Sequence, residues 1–167
     1  MELAIRRETP ADYAAVYDLV KEAFASAKHA GGNEQDLVNA LRTGDAFLPK
    51  LSLVAELAGH ILFTRAKVGA DEVLVLAPLS VKPEFQRMGV GSELIREGHR
   101  IAASLGFPYS LVLGSETYYP RMGYVPAERL GVAVPEGIPP ENFMAIQLRE
   151  DAVPISGAVA YPKEFGL

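Results

Sequence analysis

The chain has 167 residues, 49% of them hydrophobic and 22% charged, a length that fits one domain and a composition that excludes a disordered chain. It contains no cysteine, which excludes disulfide scaffolds, thiolate metal sites and cysteine nucleophiles together. Sixteen basic residues against 21 acidic ones give a net charge of −5, which argues against a nucleic-acid-binding surface.

In chain order, Leu3, Ile5 and Arg7 alternate with their neighbours and predict a short first strand. Thr9-Pro10-Ala11-Asp12 reads as a helix start: a capping hydroxyl, a proline at the first helical position and an acid in the first turn. Tyr13, Val16, Tyr17, Val20 and Phe24 continue a helical stripe to about residue 25, with the aromatics read as core. After a break at Gly31-Gly32, Asn33–Asp36 opens a second helix carrying Leu37, Val38 and Leu41, stopped by Gly44. Residues 51–57 and 60–68 flank Ala58-Gly59 as a hairpin, and 69–72 form a second turn.

The near-continuous apolar run Val73–Val81 predicts a strand buried on both faces. Pro78 inside it predicts a bulge, because proline cannot donate to the ladder. A loop over 83–88 leads to a helix opening at Gly89-Val90-Gly91-Ser92 and ending at Gly106. Tyr109–Leu113 is a strand, Glu116–Arg121 a helical turn, the proline-rich 126–141 mostly loop, and Asn142–Leu148 a last strand. The tail from Asp151 shows no pattern. The order predicts an α+β (mixed α/β) fold in a single domain over residues 1–167. The first seven residues lack the apolar core of a signal sequence and no apolar run reaches about 18 residues, so the expectation is a cytoplasmic protein without membrane partners.

The chemistry concentrates between Leu79 and Tyr124. Glycines 89 and 91 let the backbone turn sharply, and a helix start presents unpaired N–H groups and a positive dipole end, together a cradle for a diphosphate. Lys82, Arg87, Arg96 and Arg100 cluster nearby in sequence. A Walker A loop is excluded because Gly-Val-Gly-Ser replaces Gly-Lys-Ser/Thr, and a Rossmann fingerprint because position 94 is leucine.

Gln86-x-x-Gly89-x-Gly91 after a buried strand, followed by Tyr118-Tyr119-Pro120-Arg121-Met122-Gly123-Tyr124, resembles the two signatures of the GNAT superfamily of N-acetyltransferases, most closely its small stand-alone bacterial members. The resemblance implies the acyl-CoA N-acyltransferase fold, a mostly antiparallel sheet with splayed strands flanked by helices. It implies acetyl-CoA as cosubstrate, no metal, and direct acetyl transfer to a primary amine of a small molecule, protein or peptide. The backbone of Leu79-Ser80-Val81 would pair with the pantetheine arm. Gln86, Arg87, Met88, Gly89, Val90, Gly91 and Ser92 would surround the pyrophosphate. Tyr119 would face the thioester sulfur, with Tyr118 beside the cofactor. Gly114-Ser115-Glu116 stands where the family often has an asparagine, leaving Ser115 as the substitute contact. Dimerisation is common in the family.

Two groups are candidates for taking the amine's proton: Glu34 at the second helix start and His60 on the third strand. His29 and His99 are expected at the surface. Two alternatives stand beside acetyl transfer: a non-catalytic acyl-CoA-binding module, and an acyltransferase for longer chains.

Overall fold

The computed structural model of the chain describes residues 3–25, 32–56 and 58–167. The expectations for His29 and Gly31, and for Leu57 as a strand end, lie outside the described residues.

Strand β1 (Ile5–Arg7) precedes a 3-10 turn (Pro10–Asp12) that runs directly into helix α1 (Tyr13–Phe24). The predicted start is present in altered form. The Asp12 carboxylate accepts the Thr9 N–H at 2.8 Å and is held by the Arg6 guanidinium, which keeps Asp12 far below the usual carboxylate range. Helix α2 (Glu34–Arg42) leads to β2 (Phe47–Ala55), β3 (Gly59–Val68) and β4 (Asp71–Val81), three antiparallel neighbours. Helix α3 (Val90–Ser104) and β5 (Tyr109–Leu113) follow. The proline-rich segment and the tail hold more structure than their sequence suggests. Two-residue strands β6 (Val125–Pro126) and β7 (Val132–Ala133) precede β8 (Phe143–Gln147). A further strand, β9 (Gly157–Ala160), pairs antiparallel with the end of β3 and parallel with β7.

The sheet order is β1-β2-β3-β4-β5-β8-β6, antiparallel except where β4 meets β5. Helix α3 covers one face, setting Val90, Leu94 and Ile95 on Ile61, Phe63, Leu74 and Leu76. Helices α1 and α2 cover part of the other face, setting Val16, Val20, Val38 and Leu41 on Val54 and Leu62. Each of these buried apolar side chains contributes roughly 1.5–3 kcal/mol relative to exposure.

Two irregularities in β4 shape the molecule. Ile61 pairs with Leu79 and Phe63 with Leu76, so Ala77 and Pro78 together oppose Leu62, the bulge expected at the proline. Strands β4 and β5 pair only at Leu74–Ser110 and Val75–Leu111, then diverge. The edge of β4 from Leu76 to Val81 that would face β5 is therefore unpaired among the described residues, and its peptide groups are available to another extended chain.

Candidate active site

The divergence of β4 and β5 opens beside the start of α3. The first helical bond of α3 runs from the Glu93 N–H to the Gly89 carbonyl at 3.0 Å, so the N–H groups of Val90, Gly91 and Ser92 lie ahead of the ladder. Gly89 adopts φ +86°, and Arg87 adopts φ +63°, a left-handed conformation uncommon for a residue with a side chain. The Gln86 side chain donates to the Val81 carbonyl at 3.2 Å and ties the loop to the end of β4.

A cavity of about 810 Å³ lies over this loop. Its walls include Leu79 and Val81 of β4, the loop from Gln86 to Ser92 except Met88, and Thr117, Tyr118 and Arg121 from the turn after β5. Ala23 and Phe24 at the end of α1 and Phe85 complete it. The charged side chains on the wall are Arg87 and Arg121, so the field there favours an anion although the whole chain is acidic. The predicted cationic cluster is otherwise dispersed. Arg96 and Arg100 pair with Glu93 and Glu97 along α3, on the side of β1. Met88 is half exposed outside the wall.

Gly91 has a specific reason to be glycine. A Cβ there would lie 2.6 Å from the Tyr118 hydroxyl and 3.5 Å from the Leu79 side chain. Tyr118 thus closes over the helix start, its hydroxyl 3.4 Å from Ser92 Oγ. Tyr119 is not on the cavity wall. Its ring packs edge-on to Tyr118 and Tyr124, against the bare Cα of Gly114, where a Cβ would come within 2.5 Å. Burial raises the Tyr119 phenol well above the ordinary tyrosine value. Ser115 turns to Thr117, 2.9 Å from its hydroxyl. An asparagine does arrive at this corner, from a different element: Asn142 donates to the Gly114 carbonyl at 3.0 Å and to Glu116 at 2.7 Å.

The predicted proton acceptors lie apart from the cavity wall. Glu34 accepts the Gly32 N–H at 3.2 Å and serves its own helix start. His60 is fully buried on the face under α1 and α2, where loss of water lowers its pKa to about 4. Ser80, directly opposite His60, is also buried on that face. His99 corrects its expectation. It is partly buried, bonded to the Tyr124 hydroxyl at 3.0 Å, and burial lowers its pKa to about 4. Sequence reasoning missed the wall residues Ala23, Phe24, Phe85, Thr117 and Arg121. Of these, Arg121 was legible inside the second signature, and Phe24 was hidden in a stripe that reads as core.

The acetyltransferase (GNAT) family matches residues 13–124. The Escherichia coli (strain K12) protein described as "Uncharacterized N-acetyltransferase YjhQ" is 38% identical, over 93% of this chain and 91% of its own length. The crystal structure of the Escherichia coli GNAT family N-acetyltransferase YhbS in complex with CoA superposes with a TM-score of 0.88 at 25% identity, covering 100% of this chain and 93% of that one. A GNAT family acetyltransferase from Brucella melitensis in complex with acetyl-CoA gives a TM-score of 0.81 at 31% identity, over 98% of each chain.

Proposed function

The chain belongs to the GNAT family of acetyltransferases, and from that premise we propose that it transfers the acetyl group of acetyl-CoA directly to a primary amine of a small molecule, protein or peptide. One observation carries this reading. The unbonded N–H groups at the start of α3, the free edge of β4 and a cavity walled by two arginines meet at one place.

The pyrophosphate sits on the loop from Gln86 to Ser92, met by the Val90, Gly91 and Ser92 amides and flanked by Arg87 and Arg121. Hydrogen bonds to charged oxygens contribute on the order of 1.5–3 kcal/mol each. The pantetheine arm extends the sheet along Leu79-Ser80-Val81, and the acetyl group reaches the gap between β4 and β5. The amine attacks the thioester carbonyl and CoA leaves as the thiolate. Holding both reactants in one slot supplies much of the rate through orientation. Tyr119 hydrogen-bonds to the sulfur as negative charge develops. A thiol has a pKa of about 8.5, below even an ordinary tyrosine near 10, and burial moves Tyr119 further up. Full proton transfer from Tyr119 is therefore uphill, and its role is hydrogen bonding.

The test is release of CoA thiol from acetyl-CoA across a panel of primary amines, with acetylated product identified by mass. Amine-dependent release is the expected result. Binding of acetyl-CoA with no release for any amine would make the chain a non-catalytic acyl-CoA-binding module.

A further inference from the structure

Strand β1 is an edge of the sheet, and its alternation leaves particular backbone groups unused. The Ala4 carbonyl accepts the Glu56 N–H at 3.2 Å, and the Glu8 N–H donates to the Ser52 carbonyl at 2.8 Å, both across to β2. In an antiparallel ladder such bonds recur at every second residue, so Arg6, opposite Val54, also turns its peptide groups to β2. Leu3, Ile5 and Arg7 turn theirs outward. The Arg7 carbonyl accepts the Arg6 guanidinium at 3.0 Å. The Leu3 carbonyl, both groups of Ile5 and the Arg7 N–H have no bond among the described residues. Charged side chains are the usual guard of such an edge. Here the Arg6 side chain is neutralised by Asp12 and Glu56. Leu3 and Ile5 pack on the α3 face and line a recess of about 410 Å³ whose other wall is Glu93, Arg96, Glu97 and Arg100. Along α3 that wall reads acid, base, acid, base. Turned end to end it reads base, acid, base, acid. The row therefore matches itself about a point between Arg96 and Glu97, as the antiparallel edge matches itself about Ile5. A two-fold assembly needs a surface that complements itself in this way, whereas a foreign strand needs only the edge.

We propose that the outer edge of β1 and the charged row of α3 form the interface of a two-fold homodimer of this chain, a proposal independent of the transferase reading. Ile5 of each copy donates to, and accepts from, Ile5 of the second copy. Each Arg7 N–H donates to the Leu3 carbonyl of the second copy, so none of the bonds inside one chain is lost. The sheet then runs on from one copy into the next. The partly buried Leu3 and Ile5 give up their remaining contact with water. The Arg7 side chains fall at opposite ends of the paired strands, each opposite Leu3 rather than each other. The two charged rows face each other across the joined recesses, Glu93 toward Arg100 and Arg96 toward Glu97 of the second copy. Strands β2 and β3 separate β1 from β4, so the cavity of each copy stays open in the dimer.

Sedimentation velocity over a concentration series tests this. The wild type is expected to show a concentration-dependent dimer; a monomer throughout overturns the proposal. Ile5→Pro removes an outward donor and no bond to β2, and is expected to weaken the dimer about 10²-fold. If that ring disturbs β1, exposed charges on α3 carry the test. Arg96→Glu sets like charges face to face at the two-fold axis and is expected to weaken the dimer about 10-fold. Arg96→Glu combined with Glu97→Arg sets opposite charges face to face again and is expected to restore the wild-type Kd. The double variant breaks both pairs inside α3, Glu93 with Arg96 and Glu97 with Arg100, where the single one breaks only the first. A role confined to one helix therefore gives no recovery, and that result overturns the proposal. A dimer that none of the variants weakens overturns it too, because the copies then meet elsewhere.

Discussion

Single side chains decide both the acid stability and the chemistry. The folded protein holds His60 near a pKa of about 4, while an unfolded histidine titrates near 6.5. Between these values the unfolded chain binds the proton and the folded chain does not, so stability falls as pH drops from about 6.5 to about 4. The loss attributable to His60 is on the order of 3 kcal/mol. Denaturant melts across that range are expected to show a slope that flattens in His60→Gln; an unchanged slope would show that His60 does not titrate with folding. At Tyr119 the expected result follows from a single hydrogen bond to a charged sulfur. Tyr119→Phe is expected to lower kcat by about 10-fold or more while leaving acetyl-CoA affinity intact. Unchanged turnover would return that ring to a packing role against Gly114. Neither the depressed histidines nor the Glu8–Arg42 pair was legible in the sequence. Their partners lie 34 to 44 residues apart or on separate strands, and periodicity carries no information about such pairings.

Elements were legible where their pattern is local. The stripe of α1, the apolar run of β4 and the glycine start of α3 stand at their expected places, and α2 starts where expected although the Asn33 side chain makes no capping bond. The bulge at Pro78 was readable because one missing donor forces it. Strands β6, β7 and β9 were not readable. Two to four residues cannot show alternation, and β9 exists because β3 and β7 present edges to it. A close contact between elements was not legible either. Gly98 in α3 sits over Phe63 of β3, and a Cβ there would come within 2.2 Å of the ring. Gly98→Val is therefore expected to destabilise the fold by about 2 kcal/mol, with a lower Tm, because the helix must lift from the sheet. An equal or higher Tm would mean that α3 and Phe63 adjust without strain.

At the scale of the molecule, the acidic chain gathers two arginines, bare helix amides and a free strand edge into one cavity. The net charge of −5 argues against a nucleic-acid-binding surface, yet the local arrangement suits an anion, because hydrogen bonds at close range are not screened as the distant charges are. The two signatures were legible since both lie in continuous stretches, whereas Ala23 and Phe24 reach the cavity only through the packing of α1 on the sheet. No helix among the described residues is long and apolar enough to cross a membrane. The most direct test is calorimetric titration with acetyl-CoA of the wild type and of Gly91→Glu, which places a carboxylate at the helix start. Saturable one-to-one binding by the wild type is expected, with a loss of at least 10²-fold in affinity in the folded variant. Equal affinity in both proteins would contradict it, because the coenzyme would then be held somewhere other than the amides of α3.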